Sequence, residues 1–188
     1  MPSLVAYSLE NFPEQHALLG DMILGYADLE YLVIDLVGQA MGGDLDTAVR
    51  MLYRLRGAHD RLNLADAVLR PFLNELNLAG PYGQWLGAMR RCRIIRNQYA
   101  HCGWRSKDGK LWFASLDEAG QSSEGATAIS FVPLELELLK EQQAYFWYTA
   151  KLTFYLMDEA RFRRDRRRRH KSALPKSRAV PKLHSPLD

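Results

Sequence analysis

Two cysteines, Cys92 and Cys102, are all that the 188-residue sequence contains, too few for a disulfide framework. It also lacks any run of about 20 uninterrupted apolar residues, the length that a membrane-spanning helix needs. The nearest approach, residues 22–39, is broken by Asp28, Glu30 and Asp35. No basic stretch followed by an apolar core opens the chain, so no signal peptide is expected. Reduced thiols, a cytoplasmic location and no membrane partner follow as expectations. Histidines at ligand spacing are missing too. His16 and His59 stand alone, so neither a metal site nor a cofactor is expected.

What is present suits a globular protein. The chain is 47% hydrophobic and 25% charged, enough for one domain with a sizeable core. Its net charge of +3 conceals an asymmetry. Residues 161–188 hold eleven Lys or Arg against Asp165 and Asp188, a net of +9. Residues 1–160 hold fourteen basic and twenty acidic side chains, a net of −6. A basic tail of this kind suits a polyanion or the protein's own acidic surface. The division expected is a single helical domain over 1–160 and a basic, disordered tail over 161–188, rich in proline, lysine and serine.

Helix signals recur along the first hundred residues. Asn11-Phe12-Pro13-Glu14 reads as a cap, and Leu18, Leu19, Met22, Ile23, Tyr26, Leu29, Val33 and Val37 then repeat at three- or four-residue spacing. Gly42-Gly43 ends this helix, and Asp44 or Asp46 starts a second that stops near Gly57. A third spans about residues 60–77, where Pro71 is expected to kink or split it. Gly80-Pro81 opens a fourth that reaches His101 and ends before Gly103. Two β-favouring runs follow, residues 111–116 and 127–132, expected to pair as a hairpin. Pro133 is expected to open the last helix, which runs to about Arg169. The fold class is therefore all-α: a bundle of four to five helices with a small β-hairpin inserted before the last long helix.

The fourth helix divides into two faces when residues are placed 100° apart. Trp85, Ala88, Cys92, Ile95 and Tyr99 fall on one side, the expected core side. Arg90, Arg93, Arg96, Asn97 and His101 fall on the other. Asn97 and His101 are four apart and can meet, while Ala100 leaves room for an approaching group. Guanidinium groups grip phosphate oxygens with paired hydrogen bonds and keep their charge. Histidine moves protons near neutrality. Together they suit metal-free attack of an RNA 2′-hydroxyl on its own phosphodiester. His101 would carry the proton, Arg96 would stabilise the phosphoryl charge, and Asn97 would orient His101 or the substrate. Cations that merely offset a helix dipole give the same pattern.

The segment Ile94-Ile95-Arg96-Asn97-Gln98-Tyr99-Ala100-His101 resembles the motif of the HEPN superfamily (higher eukaryote and prokaryote nucleotide-binding domains): an Arg, a following polar residue, and a His four to six residues after the Arg. The opening helix, with Gly20, Tyr26 and Leu29-Glu30, looks like that superfamily's first helix. The resemblance implies a dimerising helical bundle in which two motifs face one another. It implies a metal-independent endoribonuclease, a toxin or defence effector, with Arg96 and His101 as the catalytic pair and Asn97 in support. RNA, a second copy of the chain and an antitoxin protein are the partners implied. Some toxin members carry Tyr two residues beyond the His, where this chain has Gly103. Other members keep the fold without cleaving, so the alternative is a non-catalytic module binding nucleotide, RNA or a protein.

Further candidates surround this motif. Arg90 and Arg93 are expected to hold phosphate beside it. Residues 161–171 carry seven arginines and a lysine, and Arg163, Arg164, Arg166 and Arg167 are expected to form an RNA-binding arm or a solvated helix end. Glu30 is either a polar partner of the motif or, more simply, a helix-pairing charge. Cys92 reads as core packing, and Cys102 has no base to make it a nucleophile. Trp104, Trp112, Phe113, Phe146, Trp147 and Tyr148 suit core or interface packing better than base stacking.

Overall fold

Proline has a fixed φ and no N–H to lose, which suits a helix's first position. In the computed structural model, which describes residues 9–121, 129–165 and 172–184, Pro13 opens α1 (Pro13–Ala40). Gly42 and Gly43 end it at φ 80° and 105°, values that disfavour a Cβ. The Gly43 N–H reaches back to the Gly38 carbonyl at 2.8 Å and fills one of the helix's open acceptors. Asp44 then caps α2 (Leu45–Tyr53), its carboxylate accepting from the Thr47 N–H at 2.9 Å.

α3 (Ala58–Glu75) runs through Pro71 as one helix, so the expected split does not occur there. Leu62, Ala65, Leu69 and Leu73 supply its buried stripe. Asn77 turns the chain at φ 56° into α4 (Ala79–Ala100). The three remaining strands and two helices are β1 (Cys102–Lys107), β2 (Lys110–Ser115), α5 (Leu116–Gln121), β3 (Val132–Pro133) and α6 (Leu136–Arg164).

The sheet differs from the expected hairpin. The runs around 111–116 and 127–132 do meet, since Phe113 of β2 pairs with Val132 of β3, although residues 127 and 128 lie outside the described residues. The hairpin itself is β1–β2, closed by Asp108-Gly109 at φ 52° and 68°. Two positive φ values over two residues are what a tight hairpin turn demands. The strand order is β1-β2-β3, antiparallel throughout. Pro133 belongs to β3 rather than opening the last helix. Among the described residues about 70% are helical, with this one small sheet.

The chain forms two compact units. One comprises Met1–Gly25, Ile94–Ala144 and Pro181–Asp188, and the other Tyr26–Arg93 and Tyr145–Val180. In the first, Ile95, Tyr99, Leu111, Phe113 and Leu139 are buried, and Tyr99 leans on Phe113 with ring centres 5.6 Å apart. In the second, Tyr82 stacks on Trp85 at 5.5 Å among Leu36, Leu52, Leu69 and Met89. There the Trp85 indole donates to the Thr153 hydroxyl at 2.9 Å, and Cys92 Sγ lies 3.3 Å from the Thr149 hydroxyl. These two pairs of buried polar atoms are thus matched rather than left dry.

Residues 172–184 carry no helix or strand. They were expected within a disordered tail, yet Ser172 hydrogen-bonds Asp158, and Pro181 and His184 are buried. Among the described residues no helix is long and apolar enough to cross a membrane.

Gly109→Ala places a Cβ at φ 68° and is expected to cost about 1 kcal/mol in a urea unfolding experiment. An unchanged midpoint would rule out the tight turn at Asp108-Gly109.

Candidate functional site

The face expected to be buried on α4 is buried. Trp85, Ala88, Cys92, Ile95 and Tyr99 are all at most 2% exposed. Helix geometry then leaves Arg96 and Asn97 on the far side, both half-buried, while His101 sits just past the helix end and is exposed. Arg96 Nη1 donates to Asn97 Oδ1 at 3.1 Å. The Asn97 amide, expected to orient His101 or the substrate, has its oxygen turned toward the guanidinium. The His101 ring has no hydrogen bond to another described residue. Its carbonyl accepts the Leu116 N–H at 3.0 Å, which ties the helix end to the start of α5.

The flanking arginines differ from one another. Arg90, in the other unit, is half-exposed and lies 3.8 Å from Asp66. Burial alone would raise the Asp66 carboxyl, but hydrogen bonds from Arg70 and from the Tyr82 hydroxyl outweigh it and hold the group below its ordinary value. Arg93 is half-buried, and its Nε is hidden from solvent with no hydrogen-bond partner among the described residues.

Arg163 and Arg164 are exposed, yet each is bound by the protein's own groups. Arg163 Nε pairs with Glu159 at 2.8 Å, and its Nη1 donates to the carbonyls of Leu76 and Asn77 at 2.7 and 3.0 Å. Arg164 Nη1 donates to the Gln39 carbonyl at 2.7 Å, with its guanidinium 5.9 Å over the Phe72 ring. These arginines satisfy the open carbonyls where α3 and α1 end. Arg166 and Arg167 lie outside the described residues.

Glu30 takes the simpler of its two readings: it pairs with Arg61 at 2.8 Å, bridging α1 and α3. That guanidinium also donates to the Leu55 and Arg56 carbonyls, so its donors point to the protein. Both thiols are pushed by burial to about 12, and each remains protonated at neutral pH. Among the described residues, no cluster of three or more His, Cys, Asp or Glu is placed to hold a metal ion. Phe113, Phe146 and Tyr148 are buried, whereas Trp147 is 65% exposed.

Three residues at this end of α4 escaped the sequence reading: Gln98, Gln142 and His184, which are buried and hydrogen-bonded together with the chain's own later backbone. The one available signal was Gln98, a polar side chain at a helix angle between the two faces. Compared with protein-family models, with curated proteins and with solved structures, the chain matches none.

Arg163→Ala removes one partner of the nearly buried Glu159 carboxylate and uncaps two carbonyls. A loss of about 2 kcal/mol is expected in denaturant unfolding. Unchanged stability would return Arg163 to the role of a solvated arm.

Proposed function

We propose that this chain is a metal-independent endoribonuclease of HEPN type that works as a homodimer. One observation carries the reading: a guanidinium steadied by its neighbouring amide lies on the unburied side of α4, one turn before an exposed imidazole. The motif's likeness to HEPN sequences supports it.

In this reading, one His101 takes the proton of an RNA 2′-hydroxyl. The 2′-oxygen attacks the adjacent phosphorus, the bond to the 5′-oxygen breaks, and a protonated imidazole returns a proton to that leaving oxygen. A second copy of the chain supplies the second His101, so that base and acid are separate groups. Arg96 stabilises the charge that builds on the phosphoryl oxygens, with Asn97 holding its plane. Arg90 and Arg93, on the other compact unit, are proposed to bind phosphate. Arg166 and Arg167 belong to the basic run proposed to raise local RNA concentration, whereas Arg163 and Arg164 contribute residual field from positions already used in helix capping. A toxin or defence role, with a protective antitoxin partner in a cytoplasmic setting, fits such a nuclease.

The test is RNA incubated with the protein in excess chelator, beside His101→Ala and Arg96→Ala. Wild type is expected to cleave, leaving 2′,3′-cyclic phosphate and 5′-hydroxyl ends, and each variant to lose about a hundredfold or more in rate. Equal cleavage by all three would sink the assigned site. RNA binding without cleavage by wild type would favour the non-catalytic module.

A further inference from the structure

Behind the last turn of α4, buried side-chain amides meet a peptide backbone. Gln98 is 7% exposed, and its Nε2 donates to the His184 carbonyl at 2.5 Å while its Oε1 accepts the His184 N–H at 3.2 Å. One side chain thus reads both polar groups of one residue, as a neighbouring strand would. Gln142 is fully buried; its Nε2 donates to the Lys182 carbonyl at 2.8 Å and its Oε1 accepts the Tyr99 hydroxyl at 2.7 Å. Residues 182 and 184 are two apart, the spacing at which an extended chain repeats a face. The His184 ring stands edge-on to Tyr99 and Phe113, with centres 6.1 and 5.1 Å away.

Two features mark this occupant as separable. Residues 176–180, leading into it, are exposed and carry no helix or strand. The His184 ring is 8% exposed, yet its Nε2 has no hydrogen-bond partner among the described residues. A buried, unmatched nitrogen regains water on release, which weakens the docked state.

We propose that Gln98, Tyr99, Phe113 and Gln142 form a peptide-binding groove for an extended segment that carries a His, and that the chain's own residues 181–184 are its releasable occupant. Docking favours a neutral imidazole, because burial among these rings takes the charged form out of water. Burial lowers the His184 pKa to about 4, against a weaker opposing influence from Glu135. Tyr99, the titratable group facing the ring from α4, is itself raised by burial and stays neutral; Phe113 on β2 and Gln142 on α6 carry no charge. A released imidazole titrates near 6.5. The docked pKa is therefore the depressed one: docking is at full strength above about pH 7 and weakens as pH falls, by roughly two orders of magnitude once it reaches the docked value. The groove backs the turn that carries Arg96, Asn97 and His101, but the proposal does not rest on RNA cleavage.

Two measurements on the full chain test it. In NMR titration, His184 is expected to titrate well below the usual range, with the amides of residues 98–101 and 181–184 shifting together while those of α3 stay put. An ordinary His184 titration, or loss of the whole fold in the same step, would overturn the latch. Second, a labelled peptide of residues 178–184 is added to full-length His184→Ala, in which the resident segment is weakened. Saturable binding, roughly tenfold or more tighter than to wild type and lost when Gln98→Ala is added, is expected. If the peptide fails to bind the folded variant, or binds it regardless of Gln98, the groove is not a peptide site.

Discussion

Burial of one face of α4 is the constraint from which the candidate site follows. Ile95 and Tyr99 have almost no exposed surface, and on a regular helix their burial dictates where Arg96 and Asn97 must point, with His101 just past the helix end. Deep burial of two large side chains contributes several kcal/mol, far more than any single exposed ion pair on the opposite face. The cationic residues are therefore placed by packing behind them, and their own interactions only refine the placement. The 3.1 Å bond between Arg96 and Asn97 is such a refinement.

The same helix is held at its ends of burial by polar groups as well as by apolar ones. Within one unit Trp85 and Cys92 meet the hydroxyls of Thr153 and Thr149, and within the other Tyr99 meets Gln142. Each of these buried groups needs its partner, so rotation of α4 would break hydrogen bonds as well as packing. Gln98 extends that logic to the chain's own backbone. Its amide is buried where water cannot serve it, and residue 184 completes it. A helix turn fixed on one side by packing and completed by a detachable peptide is a reasonable place for control.

How much of this was legible in the sequence varies with the range of the interactions. The α4 core stripe was readable because 3.6-residue periodicity is local, and the glycine stop after α1 was readable because positive φ is a property of single residues. The strand Cys102–Lys107 was not read, since Gly103, Arg105, Ser106 and Lys107 lack apolar alternation. Its clue was the Asp108-Gly109 pair, which specifies a two-residue hairpin turn. Arg163 and Arg164 were read as an RNA-binding arm or a solvated helix end, and their contacts to the protein were not read because the acceptors lie far off in sequence, at Leu76, Asn77 and Gln39. Composition registers the charge of such side chains and is blind to distant carbonyls. His184 was hidden for the same reason: its environment is assembled from Gln98, Tyr99 and Phe113, all outside its own segment.

The central claim is that the Arg96–His101 end of α4 drives attack by an RNA 2′-hydroxyl. The most direct measurement is cleavage, in chelator, of a short RNA carrying a single 2′-O-methyl group at the nucleotide preceding its cut site. Loss of cleavage at that position alone, with other positions still cut, is the predicted result. Continued cleavage at the methylated position would contradict it, because the nucleophile would then have to be something other than the 2′-oxygen.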